Sequence, residues 1–171
     1  MASRFRFVLM AVVALLALPT FSGAQGQTGS GPSLQDTLNW LRDFVPTATG
    51  GIESQSLSEP VRTTASIALT GGCGMIISLR LEDPSGAKSP GLVTGRFSLS
   101  DVDPASISVS GNLQVSFTTR GLAKVVAQDH HPNAFPWYGF SMGTFSDKAS
   151  AQRVVNALQH AAQLCANSQP F

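Results

Sequence analysis

Near the C-terminus, Ala151, Val154, Val155, Leu158, Ala161, Ala162 and Cys165 recur at steps of three, one, three, three, one and three. An α-helix turns once every 3.6 residues, so this spacing brings all seven side chains onto one stripe. Ser146 stands where an N-cap is needed, and Asp147 suits the positive end of the helix dipole. The pattern predicts a closing amphipathic helix that must bury one side.

Upstream the period changes to two. Phe97 and Leu99 alternate with Arg96, Ser98 and Ser100, while Leu113, Val115 and Phe117 alternate with Gln114 and Ser116. Each such segment has one apolar and one wet face, as a half-buried strand requires. Seven strands are predicted, over residues 63–69, 73–82, 92–99, 106–109, 113–118, 122–128 and 137–142. The intervening Thr70-Gly71-Gly72, Asp83-Pro84-Ser85-Gly86, Gly111-Asn112 and Arg120-Gly121 carry the small or φ-tolerant residues that turns demand. Short strands at regular spacing predict a mainly β (α+β) domain, a seven-stranded antiparallel sandwich or partly open barrel capped by the C-terminal helix.

An extra N-terminal helix is predicted over residues 33–46, with Ser33 and Asp36 forming a capping box and Leu34, Leu38, Leu41 and Val45 a narrow stripe flanked by Trp40 and Phe44. Pro46 is expected to end it, because a residue before proline is pushed out of the α region. Residues 47–62 read as a linker, and residues 63–166 as the β domain with its helix.

The first residues follow a different logic. Arg4 and Arg6 precede an apolar run over residues 7–18, and Ser22-Gly23-Ala24 offers small side chains for cleavage. This is the layout of a signal peptide over residues 1–24, with an apolar run too short for a bilayer core of about 30 Å. A disordered tail over residues 25–32 is expected to follow, and no membrane span after cleavage. The protein is therefore expected in the periplasm or outside the cell. Loss of Arg4 and Arg6 moves the formal net charge from +1 to −1. A nearly neutral chain with scattered basic residues has no electrostatic pull toward nucleic acid.

Cys73 is in strand phase with Met75, Ile77 and Leu79, and Cys165 lies on the helical stripe, so both sulfurs face one core. Export favours a Cys73–Cys165 disulfide; two buried thiols are the alternative.

Three segments carry a resemblance: residues 33–41 (SLQDTLNWL), 97–104 (FSLSDVDP) and 151–161 (AQRVVNALQHA). In these the chain resembles an uncharacterised group of exported bacterial proteins, and its element order is similar to that of the pleckstrin-homology-like (PH-like) fold. The resemblance implies that fold and no established activity. Phosphoinositide binding is not expected, because Thr70-Gly71-Gly72, at the first strand turn, lacks the Lys and Arg that would meet phosphates.

Among chemistry-bearing groups, Gly139-Phe140-Ser141-Met142-Gly143 fits the pattern of a nucleophile elbow, followed by Asp147 and His160. An elbow needs a strand running straight into a helix within a large α/β sheet, and here no βαβ repeat exists. Asp147 and His160 would sit roughly 20 Å apart on one helix at 1.5 Å per residue. Asp129-His130-His131 supplies metal-ligating types, but adjacent strand residues point to opposite faces and too few ligands converge. No catalytic residue, metal ligand or cofactor is assigned. The connection containing His130, His131, Phe135, Trp137 and Tyr138 concentrates rigid aromatics, which serve as binding anchors or as a lid over a core. The expectation is a non-catalytic binding or interaction module for an unknown protein or small apolar ligand. The alternatives are a small serine hydrolase using Ser141 and a structural envelope component.

Overall fold

The computed structural model describes residues 31–54, 60–87, 90–129 and 137–168. The chain runs α1 (Leu34–Ala48), β1 (Ile52–Ser54), β2 (Pro60–Leu69), β3 (Gly74–Glu82), β4 (Gly91–Ser98), β5 (Ser108–Val109), β6 (Gln114–Thr118), β7 (Ala127–Asp129), β8 (Gly139–Thr144) and α2 (Lys148–Asn167). The expected signal peptide lies outside the described residues. No helix among them is long and apolar enough to cross a membrane.

The strands form two antiparallel sheets, one ordered β1-β2-β3-β4-β7 and the other β5-β6-β8. The fold is thus α+β and rich in sheet, with eight described strands where seven were expected, and the sheets do not close into one barrel. They meet through their apolar faces. Phe97 of β4 lies 4.6 Å, centroid to centroid, from Phe117 of β6, and Phe117 lies 6.5 Å from Phe140 of β8. Two corners are stitched by backbone contacts: Val126 pairs with Trp137, and the amides of Gly50 and Gly51 donate to the carbonyl of Thr144.

The α2 stripe is buried as its spacing requires, with Ala151, Val154, Val155, Leu158, Ala161, Ala162 and Cys165 all in the core. The N-cap is Asp147 rather than Ser146. Its carboxylate accepts from the Ser150 amide at 2.8 Å, while the Ser146 hydroxyl donates to the carbonyl of Ala48 at 3.1 Å. A carboxylate one residue nearer the helix reaches the free amides, which leaves the serine to tie the two helices' ends together.

The first helix has the expected capping box, with the Asp36 amide donating to Ser33 Oγ and the Ser33 amide to Asp36 Oδ2. It does not end at Pro46 but runs to Ala48. A proline in the last turn removes only one amide hydrogen bond, and both the amide and the hydroxyl of Thr49 cap Val45 O, at 3.1 and 3.0 Å. Burial of Val45 and Ala48 in the core favours the extra turn over the local preference of a residue before proline. Thr49 Oγ1 in turn accepts from the Ala65 amide at 2.9 Å, which fixes α1 to β2.

The stretch expected as a linker contains β1, which pairs with β2 through Ile52↔Arg62 and Ser54↔Pro60. The sixth predicted strand also differs. Residues 120–122 form a helical turn, and only Ala127–Asp129 joins the sheet, opposite Thr94, Gly95 and Arg96.

Cys73 and Cys165 form a disulfide, with Cα atoms 5.8 Å apart. Gly71 and Gly72 take positive φ at the β2–β3 turn, a conformation that costs glycine little, and this delivers Cys73 toward the end of α2.

Candidate functional site

On the smaller sheet, β5 pairs with β6 and β6 with β8, and the register sets Ser108 opposite Ser116 and Ser116 opposite Ser141. Three serines therefore stand in one row across three strands, at the spacing of about 4.8 Å between neighbouring strands. Phe117 and Phe140, one position out of phase, fill the core beneath. Alternation alone produces this division, with aromatics on the core face and the serines on the other.

Above the row lies a groove of about 470 Å³ lined by Ser106, Ser108, Ser116, Thr118 and Ser141, with Trp137 and Tyr138 at one end. Gly139, between Tyr138 and Phe140, stands opposite Thr118 of β6. A Cβ there would come within 2.6 Å of the carbonyl oxygen of Phe117, so β8 approaches β6 closely at this point. Ser106 stiffens the rim, accepting from the Thr118 amide at 2.8 Å and donating to the Thr118 carbonyl at 3.0 Å. The hydroxyls of the serine row are otherwise placed. Among the described residues Ser108, Ser116 and Ser141 make no side-chain hydrogen bond, and the Ser141 oxygen is buried without a partner.

Trp137 and Tyr138 are exposed at 50% and 47%. Backbone pairing sets residues 119–126 beside them: the Thr119 amide donates to Tyr138 O at 2.7 Å, and Val126 and Trp137 exchange hydrogen bonds of 3.0 and 2.8 Å. Leu122 and Val125, both exposed, belong to that segment. Four large side chains with unburied apolar surface thus lie on two paired segments, and two of them, Trp137 and Tyr138, line the groove.

Of the residues singled out from the sequence, Trp137 and Tyr138 line this groove, while His130, His131 and Phe135 lie outside the described residues. The serine row was missed. Polar alternation marks Ser108, Ser116 and Ser141 as outward, but their alignment depends on the order β5-β6-β8, which no local pattern encodes.

The hydrolase constellation does not assemble. Ser141 sits in the strand β8, not at a strand-to-helix elbow, and among the described residues its hydroxyl has no hydrogen-bonded base. His160 Nε2 instead lies 2.8 Å from Pro32 O beside α1. Hydrogen bonds from the Ser150 amide and then the Ser150 hydroxyl hold the Asp147 carboxyl below its ordinary range, so that group serves as a helix cap. Among the described residues no group of three or more His, Cys, Asp or Glu side chains could hold a metal ion.

A larger recess of about 590 Å³ lies between α1 and α2, bordered by Trp40, Arg153 and His160. Its polar edges are already engaged. Trp40 stacks on Phe44 at 4.5 Å, and Arg153 lies over both rings. Asp36, Thr37, Asn156 and His160 along it also have hydrogen-bond partners, whereas the groove on the smaller sheet offers unbonded groups.

Compared with known proteins, the chain matches no protein-family model, no curated protein and no solved structure.

Proposed function

We propose that this protein is an exported, non-catalytic binding module of PH-like architecture whose recognition surface is the groove on the smaller sheet. The observation that carries this reading is the meeting of exposed Trp137 and Tyr138 with a row of hydroxyls that have no side-chain hydrogen bond among the described residues. Exposed rigid aromatics gain much contact area on binding and lose little conformational freedom. Unbonded hydroxyls supply orientation to an incoming ligand at low cost, because they break no internal hydrogen bond. Two antiparallel sheets with stitched corners and a closing helix support the PH-like assignment, and the formed disulfide supports export to an oxidising compartment.

The test uses the two tryptophans. In a Trp40→Phe background, Trp137 is the remaining indole and its fluorescence reports occupation of the groove. The expected result is a saturable change on ligand addition that disappears with Tyr138→Ala and Ser116→Ala while thermal stability is retained. An ester-hydrolase activity abolished by Ser141→Ala would replace the proposal with the catalytic reading.

A further inference from the structure

The groove's lining restricts the chemistry of its ligand. Among the described residues its polar side-chain groups are the hydroxyls of Ser106, Ser108, Ser116, Thr118, Tyr138 and Ser141 and the indole N–H of Trp137, and none of the described residues that line it is charged. An anionic ligand would find no cation among these residues, and a cationic one no carboxylate. A purely apolar ligand would cover the serine row and leave its hydroxyls dry and unpaired, a cost of about 1–3 kcal/mol for each such group. An extended peptide is bound most readily by main-chain hydrogen bonds along an open strand edge. The groove lies on the face of the sheet, where the main-chain groups of β6 are committed to β5 and β8.

We infer that the groove takes a neutral saccharide. This rests on the binding-module reading above and narrows it to one ligand class. Directly paired residues of the serine row have Cα atoms about 4.5–5.5 Å apart, which is comparable to the separation of hydroxyls on opposite sides of a sugar ring. Each serine both donates and accepts, and so does each sugar hydroxyl, so the two rows pair in either sense. The sugar's polarised C–H face meets the electron-rich face of Trp137 or Tyr138 at the end of the groove. Ser141, unpaired in the free protein, gains a partner by turning about χ1 toward the ligand.

The test titrates the whole chain in the Trp40→Phe background with three probes: neutral β-linked glucan and N-acetylglucosamine oligomers, an oligomer of uronic acids, and an uncharged extended peptide. The expected result is a saturable Trp137 response to a neutral oligosaccharide and none to the acidic one. Affinity should fall about fivefold in each of Ser108→Ala and Ser116→Ala, the loss of one hydrogen bond, and about tenfold or more in Trp137→Phe/Tyr138→Ala followed by calorimetry. Ser108 is exposed, so its alanine variant does not put the fold at risk. A response to the peptide alone would overturn the saccharide inference and leave the binding module standing. Saccharide binding unchanged by the serine variants would also overturn it, and silence of Trp137 toward all three probes would sink the groove itself as a recognition surface.

Discussion

Gly95 in β4 lies directly against the ring of Phe140 in β8, and a Cβ on Gly95 would stand 2.4 Å from the nearest ring carbon. The missing side chain is what lets the two sheets meet at this point. Gly95→Ala should cost about 1–3 kcal/mol by overpacking. Phe140→Leu, introduced into the Gly95→Ala chain, should recover part of that loss, a coupling readable in a double-mutant cycle by urea denaturation. Additive losses would mean that the two residues do not share the space described.

The disulfide joins positions 92 apart in sequence, and Cys165 is fully buried. Replacing the pair as Cys73→Ser/Cys165→Ala should cost about 2–5 kcal/mol, mainly by freeing the unfolded chain. Denaturation with and without reductant measures the same quantity on the natural sequence, and agreement between the two routes is expected.

The α1–α2 seam separates two kinds of contact. Leu41 is fully buried beneath α1, whereas Arg153 lies 4.7 Å from the centroid of Phe44 at the exposed edge of the seam. Leu41→Ala should destabilise by about 2–5 kcal/mol through lost burial and a cavity. Arg153→Ala should cost about 0.5–1 kcal/mol, the size of an exposed cation–π contact. Equal losses would show that α1 is held by its rim and not by its core stripe.

The cap of α2 gives a pH dependence with a defined sign. The Asp147 carboxyl is held below its ordinary range by hydrogen bonds from Ser150, so it is ionised more readily folded than unfolded. Its contribution is complete above the unfolded value of about 4 and fades as pH falls through the lower folded value. Asp43, lowered by its hydrogen bond to Arg42, works in the same direction. Asp147→Asn keeps an N-cap but cannot titrate. Its melting temperature should fall less steeply between pH 5 and pH 2, values chosen to bracket the Asp reference of about 3.9. Parallel profiles for variant and natural protein would remove the carboxylate from the account.

Leu122 has φ of 56° and is 60% exposed, following Gly121 at φ 59°. The left-handed conformation costs a residue with a Cβ roughly 1–2 kcal/mol, and exposure returns little packing. Leu122→Gly should therefore gain up to about 1 kcal/mol despite glycine's larger loss of chain entropy. If the residue serves the binding corner, the same substitution should weaken ligand uptake reported by Trp137.

Where periodicity was strong, the fold was legible. The stripe from Ala151 to Cys165 is the buried face of α2, and the in-phase Cys73 found its partner on it. The alternation in β6 also told inside from outside correctly. What was not legible depends on tertiary competition. Pro46 should stop a helix, yet burial of Val45 and Ala48 with the Thr49 cap carries α1 past it. The turn after β5 puts its positive φ on Leu113, not on Gly111 or Asn112. A three-residue edge strand such as β1, opening on exposed Ile52, is too short for alternation to announce it. The candidate site shows the same division: exposed aromatics could be named from the chain, but the serine row exists only once β6 is seated between β5 and β8.

The Cys73–Cys165 link also fixes how the molecule yields to tension applied at its ends. Covalent continuity passes from the start of β3 straight to the last turns of α2, so everything between them is shielded from the load. Outside the loop, the part ahead of Cys73 that holds α1, β1 and β2 can pay out on the order of 140 Å at ~3.4 Å per residue, and the few residues after Cys165 add little. A mechanical extension trace should show that short release under oxidising conditions and a much longer one after reduction.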